Sequence, residues 1–122
     1  MKTSDFQDLK VWHKAMDMAV DMYAFVKTLP KEEIFGLGDQ IRRCPVSIPS
    51  NIAEGHNRNS TKDYIRFLSI SRGSLAELLT QLILCKRIGD LLEHDFSKIY
   101  VRLVEIDKML TALINSLNSH IR

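Results

Sequence analysis

Arg58, Lys62 and Arg66, spaced four residues apart, are the residues of this chain best arranged for chemistry, and the chemistry they suit is attraction of phosphate. Where the backbone is helical, this spacing puts them in a row on one face. Arg42 and Arg43 stand on the preceding segment and Arg72 further along the following one. All six belong to a basic stretch: residues 40–89 hold eight Lys and Arg against three Asp and Glu, while the rest of the chain holds nine against twelve. Cations in a row can follow a phosphate backbone, so these six positions are the candidate nucleic-acid contacts. A solvated helix face carries the same residue types, however, and Glu54, Asp63 and Glu77 stand where they can neutralise several of them. Both readings of the stretch stay open on charge alone.

Catalytic and metal chemistry find no comparable arrangement. Di-metal sites in helical proteins need Glu-x-x-His pairs pointing inward, and none of Glu54, Glu77, Glu93 and Glu105 has a histidine three residues on. His13, His56, His94 and His120 stand alone, and Cys44 and Cys85 lie far apart without a CxxC spacing, so no zinc site is expected. Gly36-Leu37-Gly38 begins like a dinucleotide fingerprint, yet position 41 is Ile41 and no strand precedes it. His56, between Gly55 and Asn57, is placed in a hinge and reads as a solvated or capping residue. The expectation is a chain with no catalytic residues, no metal and no cofactor.

Composition sets the frame around these residues. With 122 residues, 45% of them hydrophobic, and a formal net charge of +2, the chain reads as one globular domain over residues 1–122, long enough to build a core without staples. No apolar run reaches the length of a membrane span. Met1-Lys2-Thr3-Ser4-Asp5-Phe6 lacks the apolar region and cleavage site of a secretory leader, so the expected location is cytoplasmic. Asn59-Ser60-Thr61 is accordingly not read as a glycosylation site, and the two cysteines read as buried thiols.

Four helical stripes must position the basic residues. Leu9, Trp12, Met16, Ala19, Tyr23 and Val26 alternate in threes and fours, and Leu29-Pro30 ends that helix. Leu37, Ile41, Cys44, Ile48 and Ile52 continue a second helix to about Arg58, with Pro45 and Pro49 predicting a kink that Ser47, Ser50 and Asn51 can cap. Ser60 with Asp63 looks like a capping box opening a third helix at about Thr61, whose stripe is Tyr64, Leu68, Ser71, Leu75, Leu78, Leu82 and Cys85 and whose end is marked by Gly89. A fourth opens near Glu93 or Asp95 and carries Phe96, Ile99, Leu103, Ile106, Leu110, Leu113 and Leu117. Short connections between long helices predict an all-α, up-down-up-down antiparallel four-helix bundle with its second helix kinked by prolines.

The third and fourth helices carry more apolar residues than one core uses. Phe67, Ile70, Leu79 and Ile83, with Tyr100, Val104, Met109 and Ile114, lie beside the core stripes. Extra apolar surface on a small bundle suits contacts between subunits, so Phe67, Leu79, Ile83, Tyr100 and Val104 are the candidate oligomer interface. A wide core, or leucines scattered over the surface, would carry the same residues.

Several blocks resemble a known family. Phe6, Asp8-Leu9 and Val11-Trp12, then Phe35-Gly36-Leu37 before Gln40-Ile41-Arg42-Arg43, then Ser47-Ile48-Pro49-Ser50-Asn51-Ile52-Ala53-Glu54-Gly55, and finally Arg66-Phe67-Leu68 with Gly73-Ser74-Leu75-Ala76-Glu77 resemble the four-helix-bundle proteins encoded in bacterial 23S rRNA intervening sequences. A more distant likeness is to the accessory variability protein of diversity-generating retroelements, which partners a reverse transcriptase. The resemblance implies a homopentamer with a basic surface suited to nucleic acid. It also implies a structural role for Ser47, Pro49, Asn51, Glu54, Gly55, Gly73 and Glu77, with Gly55 permitting close helix approach and Glu54 pairing with an arginine such as Arg58. Two departures, Cys44-Pro45 where alanine is commoner and Leu79 where an acid is common, bear on surface detail. The reading is a non-enzymatic homo-oligomeric bundle that binds RNA or DNA electrostatically through the second and third helices. The alternative is a scaffold that docks a polymerase or reverse-transcriptase-like partner without touching nucleic acid itself.

Overall fold

A computed structural model of the chain describes residues 5–121. Met1–Ser4, part of the segment read for a leader, and Arg122 lie outside the described residues. The described residues are all-α and contain no strand. A 3-10 turn at Phe6–Asp8 leads into α1 (Lys10–Val26), short α2 (Lys31–Ile34) and α3 (Leu37–Arg43); a second 3-10 turn at Cys44–Val46 joins α3 to α4 (Ser47–His56), and α5 (Thr61–Arg87) and α6 (Glu93–Asn118) complete the chain. Helix α5 packs against both α4 and α6, and α1 packs against α3, α4 and α6.

Helix α1 carries two apolar stripes side by side. Val11, Ala15, Met18, Met22 and Val26 are buried, whereas Met16, Val20 and Tyr23 are exposed. The inward stripe expected at Leu9, Trp12, Met16, Ala19, Tyr23 and Val26 is thus corrected by about one position. Only Ala19 and Val26 of that set are buried, and Leu9 and Trp12 pack half-buried at the core's edge. Small Ala15 and the adaptable Met18 and Met22 line the inward side, and the aromatic residues are left at its margin.

At the junction of α3 and α4 lie two prolines. Pro45 and Pro49 have no N–H to give back to Ile41 and Pro45, and the chain passes through the 3-10 turn at Cys44–Val46. Ser47 Oγ donates to the Cys44 carbonyl (2.7 Å) and lies 2.6 Å from Ser74 Oγ on α5. Asn51 Nδ2 donates to the Ser47 carbonyl at 2.7 Å, and fully buried Ser71 donates from α5 to the Ile48 carbonyl at 2.9 Å. Ser50, expected to help, is exposed and makes no side-chain bond among the described residues.

Helix α5 begins where expected. Ser60 Oγ accepts from the Asp63 N–H (3.2 Å), although Asp63 turns toward Arg66 and does not close a reciprocal box. Past its end, Gly89 takes φ +91°, the left-handed conformation that glycine adopts without strain. Leu68, Ser71, Leu75, Leu78, Leu82 and Cys85 of α5 meet Leu103, Ile106 and Leu110 of α6 in the core, as the spacing predicts.

Candidate nucleic-acid interface

The junction of α4 and α5 brings three of the candidate cations together, by a route other than helical spacing. Because α4 ends at His56 and residues 57–60 form the turn, Arg58 lies outside either helix, and the expected three-residue row reduces to Lys62 and Arg66 on α5. What unites Arg58 with Arg66 is Phe67. The Arg58 guanidinium carbon lies 4.8 Å from the centre of the Phe67 ring and that of Arg66 lies 4.6 Å from it, within the range of cation–π attraction. Phe67 can sit there because its neighbour on α4 is glycine: a Cβ on Gly55 would fall 2.7 Å from Phe67 Cβ and 3.1 Å from the Tyr64 ring. The expected placement of Phe67 in an oligomer interface is therefore corrected. It is only 7% exposed, enclosed by its own chain.

Pairing divides the six cations into two sets. Asp39 holds both Arg42 and Arg43 (Arg43 Nε at 3.1 Å). Burial opposes ionisation of Asp39, but the two guanidiniums outweigh it and keep the carboxyl below its ordinary value. Arg72 Nε donates to Asp107 Oδ1 at 2.8 Å, tying α5 to α6 and raising the arginine further above its ordinary range. At the junction the acids lie somewhat further off: Glu54 is 3.4 Å from Arg58 and Asp63 is 3.5 Å from Arg66. No carboxylate among the described residues pairs with exposed Lys62.

The motif residues occupy distinct places. Ser47 bonds to the Cys44 carbonyl of the turn, Asn51 to the Ser47 carbonyl within α4, Pro49 is buried in α4, Gly55 lies against Phe67, and Glu54 lies 3.4 Å from Arg58. Gly73, named with the structural residues, is exposed, and a Cβ there would meet nothing within 4 Å. Glu77 is exposed near Cys44. Burial first, then Glu77, pushes the Cys44 thiol up to about 12; burial, Asp90 and Glu33 push Cys85 up to about 11. Both cysteines are free and buried, and the raised thiols favour the protonated form. His56 packs edge-on against Tyr64, with ring centres 5.6 Å apart.

Of the other interface candidates, Leu79, Tyr100 and Val104 line one groove between α5 and α6, of about 380 Å³, with Arg72 and Asp107 also in its wall. Ile83 lies outside that lining and is half-buried. A second apolar groove, of about 400 Å³, was hidden by the phase of the α1 stripe. Phe6, Trp12, Met16 and Tyr23 line it together with Val46 and Pro49. The signal available in the sequence was the doubled stripe of α1, which exceeds what one core needs. Among the described residues no group of His, Cys, Asp or Glu is placed to hold a metal, and no helix is long and apolar enough to cross a membrane.

Comparison with known proteins gives this geometry a family context. Residues 7–112 match the family model described as 23S rRNA-intervening sequence protein. A crystal structure of a protein of unknown function from the S23 ribosomal protein family of Bacteroides thetaiotaomicron is similar, with 29% identity and a TM-score of 0.80 over 86% of this chain and 95% of that one. No protein of curated function matches significantly.

Proposed function

This chain belongs to the 23S rRNA intervening sequence protein family, and from that premise we propose that it is a non-enzymatic, cytoplasmic helical protein that binds RNA or DNA through phosphate. The observation that carries this reading is the set of exposed, loosely compensated cations at the α4–α5 junction, Arg58, Lys62 and Arg66. Recognition is electrostatic and led by shape, because the chain has a single tryptophan and few exposed aromatic rings on which bases could stack. The test is fluorescence anisotropy of a labelled RNA hairpin and a DNA duplex across salt concentrations. A steep linear fall of log affinity with log salt is expected; no binding at low salt overturns the reading.

The architecture we infer with it is one domain, an up-down-up-down antiparallel four-helix bundle whose second helix is bent between α3 and α4. Copies associate, five by resemblance to the family, through the α5–α6 groove of Leu79, Tyr100 and Val104 with Ile83 nearby. The α1–α4 groove supports this, since it lies across the fold from the α5–α6 groove, and a head-to-tail contact covers both in every copy. A monomer in sedimentation overturns the assembly. A second reading, favoured by the same α1–α4 groove, is a scaffold whose apolar face docks a polymerase or reverse-transcriptase-like protein; the absence of any nucleic-acid affinity from a folded, assembled protein selects it.

A further inference from the structure

We infer that Phe67 is a positioning residue: its ring holds Arg58 and Arg66 as a preformed clamp for the phosphate oxygens of a nucleic acid strand. The inference rests on the nucleic-acid reading above and specifies how it works. Arg58 comes from a turn and Arg66 from a helix, so neither backbone alone fixes the distance between their guanidiniums. The shared ring is a common point of contact for both, at 4.8 and 4.6 Å from its centre. A free arginine side chain loses rotamer entropy when it grips a ligand, and one already resting on an aromatic plate loses less. A guanidinium carries five N–H donors, so contact with a ring leaves donors that a phosphate accepts. The two acids at the site, Glu54 and Asp63, hold the arginines at 3.4 and 3.5 Å, loosely enough to yield to a phosphate. Lys62, one helical turn before Arg66, adds a third cation beside the pair.

The test uses the full chain with a fluorescein-labelled RNA hairpin, alongside side-chain NMR of the arginine Nε–H groups. In the wild-type protein the Arg58 and Arg66 signals should be displaced by the ring current of Phe67, and inorganic phosphate should move these two while leaving Arg42, Arg43 and Arg72 in place. Phe67→Leu keeps an apolar side chain against Gly55 but removes the ring; it should abolish the displacement and weaken RNA binding about fivefold, with an almost unchanged salt slope. Arg58→Gln with Arg66→Gln leaves Phe67 in place, so it stays informative if Phe67→Leu fails to fold, and it should lower the salt slope by about 1.8. Glu54→Gln should tighten binding about twofold by removing a competing carboxylate. If wild-type protein binds RNA but Phe67→Leu, folded by circular dichroism, binds equally well, the clamp is wrong and the nucleic-acid reading stands. If wild-type protein binds no RNA, that reading fails, and the clamp fails with it unless phosphate still moves the two signals.

Discussion

Arg42, Arg43 and Arg72 on one side, and Arg58, Lys62 and Arg66 on the other, are chemically alike and equally basic in composition, yet the fold treats them differently. Asp39 precedes Arg42 and Arg43 by three and four residues inside one continuous helix, and it grips both. Glu54 precedes Arg58 by the same four residues, but α4 ends between them, and the pair opens to 3.4 Å. Neither spacing nor helix continuity alone sets the distance, since Asp63 and Arg66 stand three apart inside α5 and lie 3.5 Å from one another; Asp39 differs in lying between two guanidiniums. Arg72 is closed by other means, through Asp107 on the neighbouring helix. The first set is paired at the shorter distances, although Arg43 is the most exposed of these five arginines, and the second is held more loosely.

The sharpest way to break this contrast is to remove each set in turn. Arg58→Gln, Lys62→Gln and Arg66→Gln together should lower the slope of log affinity against log salt by about 2.7. The combined change of Arg42, Arg43 and Arg72 to glutamine should lower it by less than about 1, since Asp39 and Asp107 hold those guanidiniums at shorter distances. Both variants should keep their helices by circular dichroism. Equal losses would mean that pairing distance does not decide which cations are available.

A second contrast concerns the two glycines of the motif blocks, and it asks what builds the junction. Gly55→Ala should cost about 1–3 kcal/mol in urea denaturation, because the new methyl lands 2.7 Å from Phe67 Cβ and one helix must move. Gly73→Ala, at an exposed helical site with open space around it, should instead stabilise by about 0.5–1 kcal/mol. If Gly55→Ala is neutral, the close approach that seats Phe67 under its two arginines is not a constraint.

Much of the fold was legible, and the site only in part, for reasons that these residues show. In α5 and α6 the inward stripe is the longest unbroken run of threes and fours, so Leu68 through Cys85 and Leu103 through Leu110 could be assigned inward from spacing despite the apolar residues beside them. Helix α1 has two candidate stripes, and periodicity cannot choose between them when both are apolar; that choice depends on which side the other helices approach. Ser60 and Gly89 were readable because capping is local chemistry. The meeting of Arg58 with Arg66 was not, because it depends on a turn of four residues and on a ring that reads as surplus apolar surface in a periodicity count. One clue did exist: Gly55 and Phe67 are a glycine and a bulky residue facing each other across a short turn, the composition of a close helix contact.

The smallest effect, and the one that sharpens the comparison from the closed side, is expected from Asp39. Its folded carboxyl titrates below the ordinary value of 3.8 because Arg42 and Arg43 favour the ionised form over the opposing effect of burial. A depressed folded pKa contributes stability that is present above the unfolded value and is lost as pH falls through the folded one. Asp39→Asn should therefore lower the urea midpoint slightly at pH 7, and its difference from wild type should shrink on acidification below about pH 4. The same substitution releases Arg42 and Arg43, so it should raise RNA affinity and steepen the salt dependence, moving the closed set toward the behaviour of the open one. An unchanged salt slope in Asp39→Asn would mean that these two arginines are withheld by their place on the surface and not by their acid.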